Sequence, residues 1–198
     1  MLHCQKSLFD LEENVTYLNG AYMSPQLKSL TQLGTQLMAQ KGRPYQIAIE
    51  DFFQPKDQLQ SNFARLINVT DKDRVAIIPS VSYGLANVAN NVYLEKGQEI
   101  LIVEEQFPSN YYCWKRLADQ FGGKIRTVQA PASENRAAAW NEAILEAIDE
   151  QTKVVAMGHV HWADGTKFDL PAIRRRSREV GALLGIDGTQ SVGALPFD

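Results

Sequence analysis

The stretch "KVVAMGHVHWADGTKFDLPAIRRRSREVGALLGIDGTQ", residues 153–190, contains two apolar runs separated by an amphipathic segment. The runs at 153–160 and 182–187 lack the apolar–polar alternation of a half-exposed strand, so each suits a strand buried on both faces of a sheet. Between them Leu170, Ile173, Ser177 and Val180 share one face of a helix opened by Asp169. Strand, helix and strand at this spacing form a crossover unit that joins parallel neighbours.

The same grammar extends upstream. "VAIIPS" (75–80), "EILIVE" (99–104) and "KIRTVQ" (124–129) read as further strands. The helices between and after them are marked by Leu85, Val88, Ala89 and Val92, then Tyr111, Trp114, Ala118 and Phe121, then Trp140, Ile144, Leu145 and Ile148. Five strands alternating with helices predict an α/β fold, a largely parallel sheet with helices on both faces, over residues 71–198. Residues 1–70 read as a separate N-terminal segment. There "YLNGAYMSPQ" (17–26) predicts a short strand, an Asn-Gly turn and a helix opened by Ser24-Pro25. A helix follows over about 50–68, with Phe52, Leu59, Phe63, Leu66 and Ile67 on one face.

Composition narrows the function. The chain has 198 residues, 44% apolar and 22% charged, which suits a globular domain with a substantial core. A net charge of −3 argues against nucleic acid as a partner. No apolar run approaches the roughly 20 residues of a membrane span, and the N-terminus has no secretion signal. The two cysteines, Cys4 and Cys113, form no ligand pattern. Reduced thiols in a cytoplasmic setting are the expectation.

Ligands of parallel sheets bind beyond the carboxyl ends of the strands. The residues there are Ser80–Gly84, Gln106–Ser109, His159–Trp162 and Asp187–Gln190. An acid, an aromatic ring, an amide and a hydroxyl-bearing helix start suit a flat, anionic cofactor.

The order and spacing of "YLNGAYMSP", "FPSNYYCW" (107–114), "HVHWADGTKFDL" (159–170) and "IDGTQSVGALPFD" (186–198) resemble the fold-type I pyridoxal phosphate (PLP) enzymes. The likeness is to the class V aminotransferase family in particular, which includes cysteine desulfurases, selenocysteine lyases, kynureninases and isopenicillin N epimerase-like proteins. The resemblance implies that Asp187 pairs with the pyridine nitrogen and keeps it protonated. It implies that Gln190 meets the phenolic oxygen, and that Ser82, with the backbone around Tyr83 and Gly84, holds the phosphate at a helix start. Phe107 falls where desulfurases stack a histidine on the ring and kynureninases an aromatic. His161 or Trp162 stands where the family often has an asparagine contact. Val81-Ser82 replaces a Thr-Thr pair.

The resemblance also implies a lysine joined to the cofactor as a Schiff base, following the Asp–Gln segment after one more strand. The last lysine here is Lys167, ahead of Asp187. The large domain is therefore expected to be incomplete, without that lysine and without the small C-terminal domain. Residues 1–198 alone are then expected to be inactive. The implied activity is aminotransferase or epimerase-like, on an amino acid or related amine, in a homodimer when full length. Phe107 lacks the proton-carrying group of the desulfurase histidine and ranks desulfurase or selenocysteine lyase chemistry second. A non-catalytic fragment or binding module is the alternative of another class.

Each residue also has a plainer role open to it. Asp187 could cap the Gly188 turn, Phe107 could be core, and Ser82 could be a helix N-cap. His159, His161 and Asp164 could hold a metal, but the remaining histidine and the cysteines lie elsewhere in the sequence. Arg174, Arg175, Arg176 and Arg178 suit a solvated helix face, where positive charge near the C-terminus favours the dipole.

Overall fold

The computed structural model describes residues 3–196. The chain divides into two compact units, Met1–Asn62 and Phe63–Asp198.

In the first unit, helix α1 spans Lys28–Gln40. It starts after Leu27, three residues beyond the expected Ser24-Pro25 opening, and Leu27 has no side chain able to cap it. Residues 17–19 form no strand. The Tyr17 hydroxyl instead donates to the Met23 carbonyl at 2.7 Å, closing a loop around the Asn-Gly turn. The helix expected over 50–68 divides into a 3-10 turn at Ile49–Phe52 and helix α2 at Gln54–Leu66, whose last four residues belong to the second unit. The apolar face expected there is mostly uncovered. Phe52, Leu59, Phe63 and Leu66 are exposed, whereas Gln60 and Ala64 are buried.

In the second unit, helix α3 (Val81–Asn90) precedes strand β1 (Glu99–Val103). Then follow α4 (Ser109–Phe121), β2 (Lys124–Val128), α5 (Arg136–Ala147), β3 (Thr152–Gly158), α6 (Leu170–Glu179) and β4 (Leu183–Asp187). The sheet order is β2-β1-β3-β4 and all neighbours are parallel. Four of the five expected strands are present. The fifth, 75–80, has no ladder partner among the described residues, and Ile77 and Ile78 are exposed. An apolar run becomes a strand only when a neighbour takes its backbone bonds.

Side chains alternate across the sheet. Ile100, Ile102, Val154 and Ala156 pack with Ala89, Trp114, Leu117 and Ala118 of α3 and α4. Leu101, Val103, Val155 and Met157 pack on the other face with Trp140 and Ile144 of α5 and Ile173 of α6. Helices thus cover both faces, and the continuous apolar runs are explained by burial on both sides. Arg174, Arg175 and Arg178 are exposed on α6, while Arg176 donates to the Ile148 carbonyl and pairs with Glu179.

The strand order reverses direction between β1 and β3. After β1 the chain crosses to β2 on one side, then returns to place β3 on the other. Such a reversal opens a crevice at the carboxyl ends of the two strands, because the loops leaving them diverge.

Candidate functional site

The loops at that crevice are Glu104–Pro108 after β1 and His159–Lys167 after β3. The first takes an unusual path. Glu105 has φ = 51°, in the left-handed region that a residue with a Cβ seldom adopts. Contacts on each side hold it there. The Trp162 indole N–H donates to the Glu105 carbonyl at 2.7 Å. His161 Nε2 lies 3.1 Å from the Glu104 carbonyl, and a carbonyl only accepts, so that bond puts the proton on Nε2. The Gln106 amide donates to the Ala156 carbonyl of β3 at 3.1 Å, and its oxygen accepts from the Phe107 N–H.

Phe107 is consequently presented at the edge rather than buried, 45% exposed, against the half-exposed ring of Trp162. Their centroids are 5.6 Å apart at an interplanar angle of 84°, the edge-to-face arrangement that aromatic quadrupoles favour. His161 lies behind this pair. It is buried, its ring 5.1 Å from that of Trp140, with Nδ1 3.2 Å from Asp164 Oδ1. Burial pushes the Asp164 carboxyl upward, but hydrogen bonds from Thr166 and the charges of His161 and Arg136 outweigh it and hold the group below its ordinary value.

The start of α3 adjoins Phe107. Ser82, Phe107, Ser109, Tyr112, Cys113 and Arg116 line one cavity of about 510 Å³. The N-cap of α3 is Ser80, whose hydroxyl accepts from the Tyr83 N–H at 3.1 Å, and the Gly84 N–H is bonded to the Ser80 carbonyl. Ser82 is therefore the second residue of the helix and is not its cap. No hydrogen bond among the described residues takes the amides of Val81 and Ser82, which leaves them for an anion at the positive end of the helix. A Cβ at Gly84 would clash only with Ile78 Cδ1, the tip of an exposed side chain that can turn aside.

Asp187 ends β4, and its carbonyl accepts from the His159 N–H at 3.1 Å. Its Oδ1 accepts from both the N–H and the hydroxyl of Thr189, at 3.0 and 2.5 Å. The turn-capping role is thus filled by one carboxylate oxygen, and no described hydrogen bond falls on Oδ2. Gln190 follows in a tight turn closed by the Ser191 and Val192 amides on the Gly188 carbonyl. A Cβ at Gly188 would meet Val192 Cγ2 at 2.7 Å, which explains the glycine.

Among the described residues no three His, Cys, Asp or Glu side chains gather as metal ligands. His159 is buried on the α5/α6 face, beside a cavity of about 460 Å³ also lined by Lys167 and Asn141. Burial and the Lys167 charge hold its imidazole below its ordinary pKa. No described helix is long and apolar enough to cross a membrane.

One cavity brings together the start of α3, with two open amides and the Ser82 hydroxyl, and the exposed ring of Phe107; Asp187, with one carboxylate oxygen available, ends β4 and does not line that cavity. The helix start suits an anionic group, the Phe107 ring a flat aromatic one, and the free Asp187 oxygen a protonated nitrogen. Sequence reasoning placed Ser80 and Thr189 among the strand-end residues without giving them roles, and it missed Glu105. Pro79-Ser80 ahead of the helix and the Asp-Gly-Thr turn carried signals for the first two; nothing local marked Glu105.

The family model described as "Aminotransferase class-V" matches residues 25–198. An uncharacterized aminotransferase of Bacillus subtilis is 26% identical over 188 residues, covering 88% of this chain and 49% of the relative. A probable cysteine desulfurase of Streptomyces coelicolor is 34% identical over 142 residues, covering 68% of this chain and 33% of the relative. Isopenicillin N epimerase of Streptomyces clavuligerus is 27% identical, covering 71% and 35%. Of solved structures, the cystine C–S lyase C-DES with its product cysteine persulfide superposes with a TM-score of 0.83 at 24% identity, over 94% of this chain and 50% of that one. A C-DES mutant with glycine covalently linked to its PLP cofactor gives 0.85 at 23%, over 99% and 52%. These likenesses show the fold, which this chain shares with about half of the C-DES chain. The chain spans about half the length, or less, of the relatives it matches.

Proposed function

The chain belongs to the class V aminotransferase family, and on that premise we propose that it supplies the cofactor-binding part of a PLP-dependent enzyme acting on an amino acid or related amine. The observation that supports this most directly is Asp187. It stands at a strand end with Oδ1 fixed by Thr189 and Oδ2 available, as a partner for a ring nitrogen requires.

PLP, when bound, would supply an electron sink for negative charge developing at the substrate's α-carbon. The chain's own residues have separable tasks. Asp187 holds a proton at the ring nitrogen through Oδ2, because a carboxylate stabilises the adjacent positive charge. Thr189 fixes the rotation of that carboxylate. The Val81 and Ser82 amides and the Ser82 hydroxyl hold the phosphate, with Tyr83 and Gly84 forming the turn behind them. Phe107 would cover one face of the cofactor ring and exclude water, Gln190 would meet the phenolic oxygen, and His161 acts through the loop it holds. Residues 71–198 form the cofactor-binding large domain and 1–70 an N-terminal segment. The lysine that holds the cofactor covalently comes from outside residues 1–198, which alone are inactive. The complete enzyme is a cytoplasmic homodimer.

Phe107 carries no proton, which favours an aminotransferase or epimerase-like reaction. Likeness to a probable cysteine desulfurase at 34% identity supports desulfurase chemistry as the second reading.

The test is titration with 4′-deoxypyridoxine phosphate, which has no aldehyde and so needs no lysine. The protein should bind it, Asp187→Ala should weaken binding at least about tenfold, roughly 1.4 kcal/mol, and pyridoxine without the phosphate should bind far more weakly. Equal binding of both compounds, unaffected by Asp187→Ala, would sink the assignment.

A further inference from the structure

Trp162 is the one tryptophan that the core does not use. Trp114 and Trp140 are fully buried, whereas Trp162 is 49% exposed, and its single hydrogen bond reaches 57 residues back to the Glu105 carbonyl. A half-exposed indole spends rotamer freedom on that contact, and the residue it grips is in a backbone conformation that disfavours every residue except glycine, asparagine and aspartate. Phe107 follows two residues later and packs edge-to-face on the same indole. His161 grips the preceding carbonyl, that of Glu104. Consecutive side chains of one loop therefore hold consecutive carbonyls of the other.

We infer that Trp162 is a positioning residue, a clip that holds Glu105 in the left-handed conformation and thereby sets the angle of the Phe107 ring across the ligand crevice. The inference rests on the cofactor reading above for what Phe107 faces, but the clip itself is a property of the loop. Its consequence for recognition is that the ring wall is preorganised before any ligand arrives, so the ligand does not have to order it.

Two measurements on the same variants test this. In Trp162→Phe the ring remains and the N–H is lost. Amide hydrogen exchange over residues 105–109, without ligand, should quicken about fivefold, the size of one hydrogen bond's net contribution. Affinity for 4′-deoxypyridoxine phosphate should fall by a similar factor. Glu105→Gly removes the conformational cost that the clip opposes, so adding Trp162→Phe to the Glu105→Gly protein should change affinity less than about twofold. An equal fivefold loss in both backgrounds would mean that the indole touches the ligand directly, and overturns the clip. Unchanged exchange in Trp162→Phe overturns it as well. Wild-type protein that ignores the compound overturns the cofactor reading alone, because the exchange measurement still decides the clip.

Discussion

The two edges of the sheet are built from different chemistry. At β2 the exposed positions are Lys124 and Thr127, and Arg126 pairs with Asp149 at 2.6 Å and Glu99 at 3.4 Å. At β4 they are Leu183, 50% exposed, and Ile186, 38% exposed. An apolar hollow of about 660 Å³ runs beside β4, lined by Val88, Val92, Leu170 and Gly185 among others. Charge on an edge strand discourages further pairing, because a neighbour would have to desolvate it, whereas apolar side chains invite a neighbour. The β2 edge is finished and the β4 edge is adhesive.

Each edge nevertheless rests on a buried tryptophan. Trp140 donates to the Val128 carbonyl of β2 at 3.2 Å. Trp114 donates to Asn110 at 2.9 Å and comes within 3.9 Å of where a Cβ on Gly185 of β4 would stand. Trp114→Ala and Trp140→Ala should each destabilise the protein by about 3–5 kcal/mol, read as a lower urea midpoint. A much smaller loss for Trp114→Ala would show that β4 is less firmly packed than β2, and would break the symmetry.

The adhesive edge makes a second prediction. Residues 1–198 expressed alone should self-associate, and Ile186→Lys should weaken that association at least tenfold in sedimentation equilibrium. The corresponding change at the charged edge, Thr127→Lys, should leave it unaltered. Association equally insensitive to both would place the contact elsewhere.

The smallest effect belongs to the ion pair. The Arg126 guanidinium holds the Asp149 carboxyl below its ordinary range. A depressed folded value contributes stability above the unfolded pKa of about 4, and that contribution is lost as pH falls through the lower folded value. Both groups are more than a third exposed, so solvent limits the pair to less than about 1 kcal/mol. Asp149→Asn should therefore narrow its stability gap to wild type as pH drops from 6 to 3.

The edges also explain what was legible in the sequence. Strands β1 and β3 read correctly because burial on both faces leaves an unbroken apolar run; β4 has a similar run although Leu183 and Ile186 stay exposed at the sheet edge. Residues 75–80 have the same composition and were expected to behave likewise, but strand formation depends on a partner that composition does not reveal. The apolar face over 50–68 is mostly exposed for a related reason, since periodicity names a face without naming what covers it. Among the candidate site residues, Asp187, Gln190 and Phe107 could be nominated because they follow strand ends in a familiar order, and Ser82 because it stands at a helix start. The clip could not, because it joins residues 57 positions apart through a backbone angle that no side chain announces.

That clip gives the molecule its own optical reporter. With two indoles sealed in the core and one at the mouth of the crevice, a collisional quencher such as acrylamide should extinguish mainly the emission of Trp162. The environment of the loop that shapes the crevice can then be followed in the unlabelled protein.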